Sequence, residues 1–294
     1  MNAIYAQFGI SKQGHWQALE REEAWTAKEL CYVGLMEEVR QMHPGMGLRK
    51  MYEQFQPQGI GRDAFIALGL REGFRLHAAS NPQRTTRSVK SARYRNLLSC
   101  KKFTNVNQLW VSDLFYFALG NQHYYVVLIM DAYSRRIIGY SVADNMRAEQ
   151  NIKALGMALN LRGIDSYEHQ LIHHSDRGSQ YISDDYTNLL DDYNIQISMC
   201  TDVLENAHSE RVNGTIKNEY LARWHIANFE QLQWRLPIAV NNYNDRRHDS
   251  LGMTPNEFET YVNELPVDQR PELEIFTINK SFENSTQLAF NFDS

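Results

Sequence analysis

Three acidic residues stand in separate, distinctive stretches of the chain: Asp113 in WVSDLFYF, Asp176 in HHSDRGSQY and Glu210 in ENAHSERVNGTIKNEY. Each lies where an apolar run ends or a helical pattern begins, the places where a fold presents side chains at a cleft. Three carboxylates brought together repel one another and resist joint ionisation unless a cation lies between them. Mg²⁺ and Mn²⁺ prefer such oxygen ligands. Two of these ions roughly 3.5–4 Å apart stabilise the attacking and leaving oxygens of a phosphodiester, so phosphodiester chemistry is indicated.

The two aspartates each have a simpler alternative explanation. Asp113 falls in an apolar strand pattern and shares a face with Phe115 and Phe117, where burial without a partner is costly; the alternative is an exposed aspartate at a sheet edge. Asp176 precedes Gly178, which permits a tight turn that aims the carboxylate into a cleft. An Asx turn or a helix N-cap would explain the same residues.

Glu210, Asn213 and Lys217 follow one another at spacings of three and four, so they share one face of a predicted helix. This spacing predicts that Glu210 faces the metal ions while Lys217 holds the substrate backbone nearby. A surface helix with scattered charges is the alternative. Glu219 lies off that face, and Glu205 stands at the helix start, where the helix dipole favours an acid.

The charge is divided unevenly along the chain. The net charge is −5, but residues 1–112 hold 16 Lys+Arg against 9 Asp+Glu, and residues 113–294 hold 14 against 26. The segment 73–112 contains no acid. A basic arm beside an acidic domain suits a polyanion that is held and then cut, although a solvated linker is the alternative. We predict DNA contacts from Lys217 and Asn213, and from the arm residues Arg84, Arg87, Lys90, Arg93, Arg95, Lys101 and Lys102.

Composition places the chain among globular proteins, with 43% apolar and 12% aromatic residues in 294. The chain contains no apolar stretch of about 18 residues, so no transmembrane helix is predicted. The N-terminus lacks the basic-then-apolar layout of a signal peptide. Cys31, Cys100 and Cys200 are far apart and odd in number, which is typical of reduced thiols in a cytosolic protein. We therefore expect a cytoplasmic protein with no membrane contact. The adjacent His173 and His174 are assigned no role.

Periodicity predicts a small all-helical region followed by an α/β core. Short helices at Val33–Met42, Leu48–Phe55 and Arg62–Leu70, separated by Gly/Pro turns, suit a helix-turn-helix unit or generic three-helix packing. Three consecutive strands and then alternating helices and strands favour a ribonuclease H-like core, a five-stranded mixed sheet flanked by helices. The strands are predicted at Leu109–Leu119, Tyr124–Met130, Arg136–Ala143, Gln170–His174 and Ile195–Met199. The helices are predicted at Ala148–Leu161, around Tyr186–Leu190, and at 206–222 and 228–243.

These elements predict five segments. They are an N-terminal helical segment (1–30), the helix-turn-helix unit (31–76), a basic linker (77–105), the catalytic core (106–265) and a C-terminal tail (266–294). The tail is expected to be partly extended or disordered until a partner orders it.

The motifs, taken together and in order, resemble those of the DDE insertion-sequence transposases, specifically the OrfB-type subunit with a retroviral-integrase-like core. HPGMGLRKMYEQF resembles the second helix-turn-helix unit of that family, and HSDRGSQY the segment with its second aspartate. ENAHSERVNGTIKNEYL resembles the segment with its glutamate, and NNYNDRRHDSLGMTPNEFE its closing helix and tail. The resemblance implies that Asp113, Asp176 and Glu210 form a metal-binding triad and that Lys217 contacts the transposon end. In this chain 33 residues separate Asp176 from Glu210, where the family usually has 35.

The expected function is therefore metal-dependent DNA cleavage and strand transfer at insertion-sequence ends, with two Mg²⁺ or Mn²⁺ ions per active site and no covalent enzyme–DNA intermediate. The expected partners are terminal inverted repeats, target DNA and further copies of the chain. By resemblance, an OrfA-type helix-turn-helix protein, separate or fused, joins them. Two alternatives remain open: a nuclease of the same fold, and a catalytically inactive DNA-binding regulator derived from a transposase.

Overall fold

The computed structural model describes residues 9, 11–77, 94–98, 101–145, 147–164, 171–200, 207–275 and 288–291. The chain divides into two compact units, residues 1–78 and residues 79–294. None of the helices in these described ranges is long and apolar enough to cross a membrane.

The first unit contains three helices, α1 (Lys12–Met42), α2 (Leu48–Phe55) and α3 (Arg62–Arg71). The bounds of α2 and α3 agree with the prediction to within one residue. The separate helix predicted to begin at Val33 is wrong, because α1 continues unbroken from Lys12. What changes near residue 32 is burial: most of the first 20 residues of α1 are exposed, whereas Tyr32, Met36 and Val39 enter the three-helix core. The change in composition therefore marks where α1 meets its partners and not where a helix starts.

The second unit is built on a five-stranded sheet in the order β4-β3-β2-β5-β6. β2 pairs antiparallel with β3 and parallel with β5, so it occupies the centre of the sheet. This is the mixed topology expected of a ribonuclease H-like core. All five strands were predicted, with bounds that differ by at most two residues. The strands are β2 (Leu109–Leu119), β3 (Gln122–Asp131), β4 (Ile137–Ala143), β5 (Ile172–Ser175) and β6 (Gln196–Met199).

Helices cover both faces of this sheet. On one face α4 (Ala148–Arg162) and α5 (Asp184–Asp192) bury Leu155 and Leu190 against Trp110. The approach of α4 to β4 is close, since a Cβ on Gly139 would collide with the backbone carbonyl of Ala154. The other face is covered by α6 (Ala207–Gly214), a π-helical segment (Thr215–Leu221), α7 (Phe229–Asn244) and α8 (Pro255–Glu264). Alternation along β2 therefore sends consecutive side chains into two different cores.

A second, three-stranded sheet joins β1 (Lys102–Phe103), β7 (Glu272–Ile275) and β8 (Leu288–Asn291). The chain beyond residue 266 was expected to be partly extended or disordered until a partner orders it. For β7 this expectation is wrong, because the strand packs into the core of its own chain. Its Leu273 is fully buried in the same core as β2, and Tyr133 donates a 2.8 Å hydrogen bond to the carbonyl of Pro271. Likewise β1 lies inside the predicted linker. Both strands are short and border polar sequence, so their pairing could not be predicted from the sequence pattern.

Candidate active site

Backbone pairing brings the two aspartates side by side. In the parallel ladder between β2 and β5, Ser112 lies opposite Ser175. Asp113 is the next residue of β2, and Asp176 is the first residue after β5. Residues at equivalent positions of a parallel ladder point to the same face, so the two carboxylates lie on the face covered by α6. The sequence-based expectation that these residues approach each other is supported by this register.

Asp113 is partly buried on the central strand, which removes the alternative of an exposed sheet-edge aspartate. Its Oδ1 accepts a 2.8 Å bond from the backbone N–H of Leu114, and its Oδ2 accepts a 2.9 Å bond from the Asn213 amide. Burial is the largest cause that raises the pKa of Asp113, and the charges of Asp176 and Glu210 add to it. Against the two hydrogen bonds, which lower it, the pKa rises to about 8. The charges of two neighbouring acids therefore act on the carboxyl group of Asp113.

Asp176 lies in a tight turn after β5. Its Oδ1 accepts a 3.0 Å bond from the backbone N–H of Gly178, which is the Asx turn considered as an alternative. Burial raises the pKa of Asp176, and the Gly178 bond partly opposes this effect. Gly178 has φ −64° and ψ 143°, so the turn does not need glycine for a left-handed backbone. A Cβ at this position would meet the side-chain amide of Gln180, which would have to shift.

Glu210 belongs to the first turn of α6 and is exposed. One turn later, the buried Asn213 bonds directly to Asp113, and Val212 packs into the core behind the site. Glu210 lies near enough for its charge to act on the pKa of Asp113. The competing acid Glu219 is held elsewhere, in a 2.6 Å ion pair with Arg246. The other competing acid, Glu205, lies outside the described residues.

Lys217 reaches the same face of the sheet by a different geometry from the one predicted. The helix becomes a π-helix at Thr215, with more residues per turn than the α-helix on which the spacing argument relied. Lys217 Nζ nevertheless lies 5.9 Å from the ring centroid of Phe115, two residues beyond Asp113. Partial burial lowers the pKa of Lys217. π-helical turns occur frequently at functional sites.

The donor set matches a hard divalent cation. Asp113, Asp176 and Glu210 offer oxygens alone, the ligands that Mg²⁺ and Mn²⁺ prefer. The amide of Asn213 bonds to Asp113 through its nitrogen, and its buried Oδ1 has no hydrogen-bond partner within the described structure. Within the same described ranges, no three acidic, histidine or cysteine side chains are already close enough to hold one ion. A cation would neutralise the like charges that raise the pKa of Asp113.

The predicted DNA contacts divide into three groups. Asn213 donates a hydrogen bond to Asp113, and its predicted contact with DNA stays a prediction. Lys102 forms a 2.7 Å ion pair with Glu272 across the β1–β7 ladder, whereas Arg95 is exposed and its carbonyl accepts from the Met199 N–H. Lys101 is half-buried. The four remaining arm residues lie outside the described residues: Arg84, Arg87, Lys90 and Arg93.

A buried polar network behind the aspartates was missed by sequence reasoning. The Tyr181 hydroxyl lies 2.8 Å from Ser112 Oγ, and the Tyr186 hydroxyl lies 2.9 Å from His173 Nε2. Burial lowers the pKa of His173 to about 3, so its ring is neutral and structural. The stretch HHSDRGSQY contained the signal for this network, since polar residues in a strand that enters a core need hydrogen-bond partners.

Comparison with known proteins places this geometry in a family. Two profiles described as integrase core domain match residues 104–202 and 191–255, together just over half of the chain. The Shigella sonnei protein named insertion element IS600 uncharacterized 31 kDa protein is 29% identical over 88% of this chain and 98% of its own length. The Shigella sonnei transposase for insertion sequence element IS629 is 29% identical over 81% of this chain and 79% of its own.

Among solved structures, the catalytic core domain of HTLV-2 integrase in complex with magnesium aligns with a TM-score of 0.43 and 20% identity. The alignment covers 55% of this chain and 98% of that one. The strand order, the paired aspartates on β2 and β5 and the matched profiles agree with one another. The chain belongs to the insertion-sequence transposases of the OrfB type, whose catalytic part is an integrase core domain.

Proposed function

We propose that this protein cuts DNA at the ends of an insertion sequence and joins the resulting strands to target DNA. The observation that carries the proposal is the position of Asp113. It lies on the central strand beside Asp176, within reach of the charge of Glu210, and its pKa is raised to about 8 by burial and by those two acids. Such a site gains stability when a divalent cation enters.

Asp113, Asp176 and Glu210 would hold two Mg²⁺ or Mn²⁺ ions. When bound, such ions activate the attacking water or DNA 3′-hydroxyl and stabilise the leaving oxygen of an in-line displacement. The protein supplies the rest by positioning. Asn213 holds one oxygen of Asp113 at a fixed angle, and the Asx turn holds one oxygen of Asp176. Each aspartate must lose its proton before it becomes a ligand.

The DNA partners follow from the same chemistry. Terminal inverted repeats and target DNA are the substrates, and phosphate contacts from basic residues make binding sensitive to salt. The three helices of the first unit and the basic arm are the proposed DNA-binding elements. An OrfA-type helix-turn-helix protein and further copies of this chain are the proposed protein partners, because joining two ends to one target needs two active sites.

The test uses labelled DNA from the ends of the element that encodes this chain, an unlabelled target plasmid and Mg²⁺, with and without an OrfA-type partner. Labelled ends joined covalently to the plasmid, and lost when the metal is chelated, are the expected result. Cleaved ends without joining would identify a nuclease. Binding without cleavage in both conditions would identify a regulator, and either outcome would refute strand transfer.

Lys217 is expected to contribute to binding of the DNA end through its charge. Lys217→Ala should weaken end binding about tenfold and lower the slope of log affinity against log salt by about 1, since one phosphate contact is removed. The matched control is Lys153→Ala, which removes an exposed lysine from α4 on the opposite face of the sheet. Fluorescence anisotropy over a salt series measures both quantities. Equal effects of the two variants would contradict this role.

A further inference from the structure

Tyr181 is a buried phenol whose hydroxyl is used in one specific contact. It belongs to the short 3-10 helix Ser179–Ile182, is 1% exposed, and lies 2.8 Å from the Oγ of Ser112, which is completely buried. Ser112 immediately precedes Asp113, and Tyr181 follows Asp176 by five residues. One hydrogen bond therefore joins the strand that carries the first aspartate to the turn that carries the second.

This bond lies behind the aspartates and not among them. Side chains alternate along β2, so Ser112 points to the face opposite Asp113, where Tyr181 packs with Trp110 and Leu114. Tyr181 is thus separated from the carboxylates by the backbone of the sheet. Its hydroxyl is placed to hold the backbone that carries the two aspartates and not to bind an ion.

The turn that carries Asp176 needs such a contact because the hydrogen-bonded ladder between β2 and β5 ends before it. The register between β2 and β5 stops at Ser112 and Ser175, so Asp176 itself has no partner in that ladder. At the near end of the turn, Gly178 N–H bonds to the Asp176 carboxylate. At the far end, Tyr181 N–H bonds to the Gly178 carbonyl, and the Tyr181 hydroxyl reaches across to Ser112.

A neighbouring tyrosine provides a comparison. Tyr186 is also fully buried, and its ring contacts that of Tyr181 edge-on at 5.6 Å between centroids. Its hydroxyl, however, bonds to His173 and not to the strand that carries Asp113. The two phenols therefore share burial and surroundings but differ in what their hydroxyls position.

Electrostatics agree with this placement. Burial is the largest cause that raises the pKa of Tyr181, and the charges of Asp176 and Asp113 raise it further. For Tyr186 burial alone has this effect. The Tyr181 hydroxyl is therefore near both aspartates and stays protonated, as a positioning group requires.

We propose that Tyr181 is a positioning residue for the metal site, and that its hydrogen bond to Ser112 sets the distance between the carboxylates of Asp113 and Asp176. This inference rests on the proposed function, since it assumes that the two aspartates share metal ions. Groups that orient metal ligands without touching the ion typically change metal affinity 10–100-fold when they are removed.

The test compares Tyr181→Phe with Tyr186→Phe in the full chain. Each variant removes one buried hydroxyl and keeps the ring. Two readouts are taken over a Mg²⁺ series: the rise in melting temperature, which reports binding without DNA, and the rate of end cleavage. We expect Tyr181→Phe to need about tenfold more Mg²⁺ for the half-maximal response in both, with the cleavage rate at saturating Mg²⁺ within about twofold of the unmodified protein. Tyr186→Phe should keep the original Mg²⁺ dependence.

Ser112→Ala provides a second, independent variant, because it removes the other partner of the same bond. It should reproduce the Mg²⁺ shift of Tyr181→Phe, and combining both changes should add little, since the two groups act through one contact. An equal Mg²⁺ response in Tyr181→Phe and Tyr186→Phe, or an unshifted response in Ser112→Ala, would overturn the positioning role. Failure of the proposed function is recognised separately: an unmodified protein that is stabilised by Mg²⁺ and cleaves ends without joining them refutes strand transfer alone. An unmodified protein with no Mg²⁺-dependent stabilisation has no metal site, which also overturns this inference.

Discussion

Asp113→Asn is expected to abolish end cleavage and strand transfer while leaving end binding intact. Asparagine keeps the shape of the side chain and can still meet Asn213, but it lacks the charge that draws a cation to the site. Metal ions contribute several kcal/mol to stabilising the transition state, so the rate should fall by about 10³-fold or more. Cleavage assays and anisotropy on the same end DNA measure the two properties separately.

The same substitution should raise stability when divalent metal is absent. The pKa of Asp113 is raised from an ordinary 3.8 to about 8, so folding favours its protonated form. The folded state then binds more protons than the unfolded state between about pH 4 and pH 8, and the free energy of unfolding falls as pH rises through this window. Asparagine resembles the protonated acid at every pH. When thermal unfolding is measured in a chelator over a pH series, the stability of the variant should fall less with rising pH than that of the unmodified protein.

Metal ions should reverse this pH trend in the unmodified protein. Binding requires the ionised carboxylate, so the stabilisation by Mg²⁺ should grow as pH rises towards 8 and should be absent in Asp113→Asn. Asp192→Asn serves as the control, since this exposed aspartate at the end of α5 lies in the same unit. Equal Mg²⁺ stabilisation of both variants would show that Asp113 is not a metal ligand.

The sheet could be predicted because its signals are local. Apolar alternation from Leu109 and the Gly120-Asn121 turn define β2 and β3, and the order of elements then favours a ribonuclease H-like sheet. The approach of Asp113 to Asp176 was expected from that fold, in which β5 lies beside β2. It requires no knowledge of side-chain packing, since adjacent strands of a parallel pair bring equivalent positions together.

The details of the site could not be predicted because they depend on contacts between distant residues. Asn213 was predicted to contact DNA, and the hydrogen bond from its amide to Asp113, which lies far away in the chain, was not foreseen. Helix spacing cannot distinguish a side chain that faces a substrate from one that faces another ligand. The π-helical segment from Thr215 is equally hidden, since its sequence is compatible with an ordinary α-helix.

No helix was predicted over α8, which begins in the stretch that resembles the closing helix and tail of the family, and its anchor was not foreseen. Glu259 is 6% exposed, and its carboxylate accepts two bonds from Arg162, at 2.5 and 2.9 Å, one from Arg136 at 2.7 Å and one from Ser134 at 2.6 Å. Arg162 ends α4, whereas Ser134 and Arg136 lie in the turn between β3 and β4. One carboxylate thus connects helices on both faces of the sheet to the same turn.

Glu259→Ala should therefore cost about 3–5 kcal/mol of unfolding free energy, the range for removing one partner of a buried ion pair. The loss arises because the Arg162 guanidinium, 10% exposed, would remain in the interior without its bidentate acceptor. Glu264→Ala, at the exposed end of the same helix, should stay within about 0.5 kcal/mol of the unmodified protein. Urea unfolding followed by circular dichroism measures both, and equal costs would show that this cluster does not anchor α8.

The pH dependence distinguishes the ion cluster from simple packing. Burial alone would raise the pKa of Glu259, but the hydrogen bonds and charge of Arg162, with Ser134 and Arg136, hold it below its usual value. A lowered pKa contributes stability that is present above the ordinary pKa of the acid, about 4.5, and is lost as pH falls through the folded value. The difference between the unmodified protein and Glu259→Gln should therefore shrink below pH 4.5, whereas a packing defect would keep the same size at every pH. This trend runs opposite to that of Asp113, because Glu259 already has the cations that Asp113 would obtain only from bound metal.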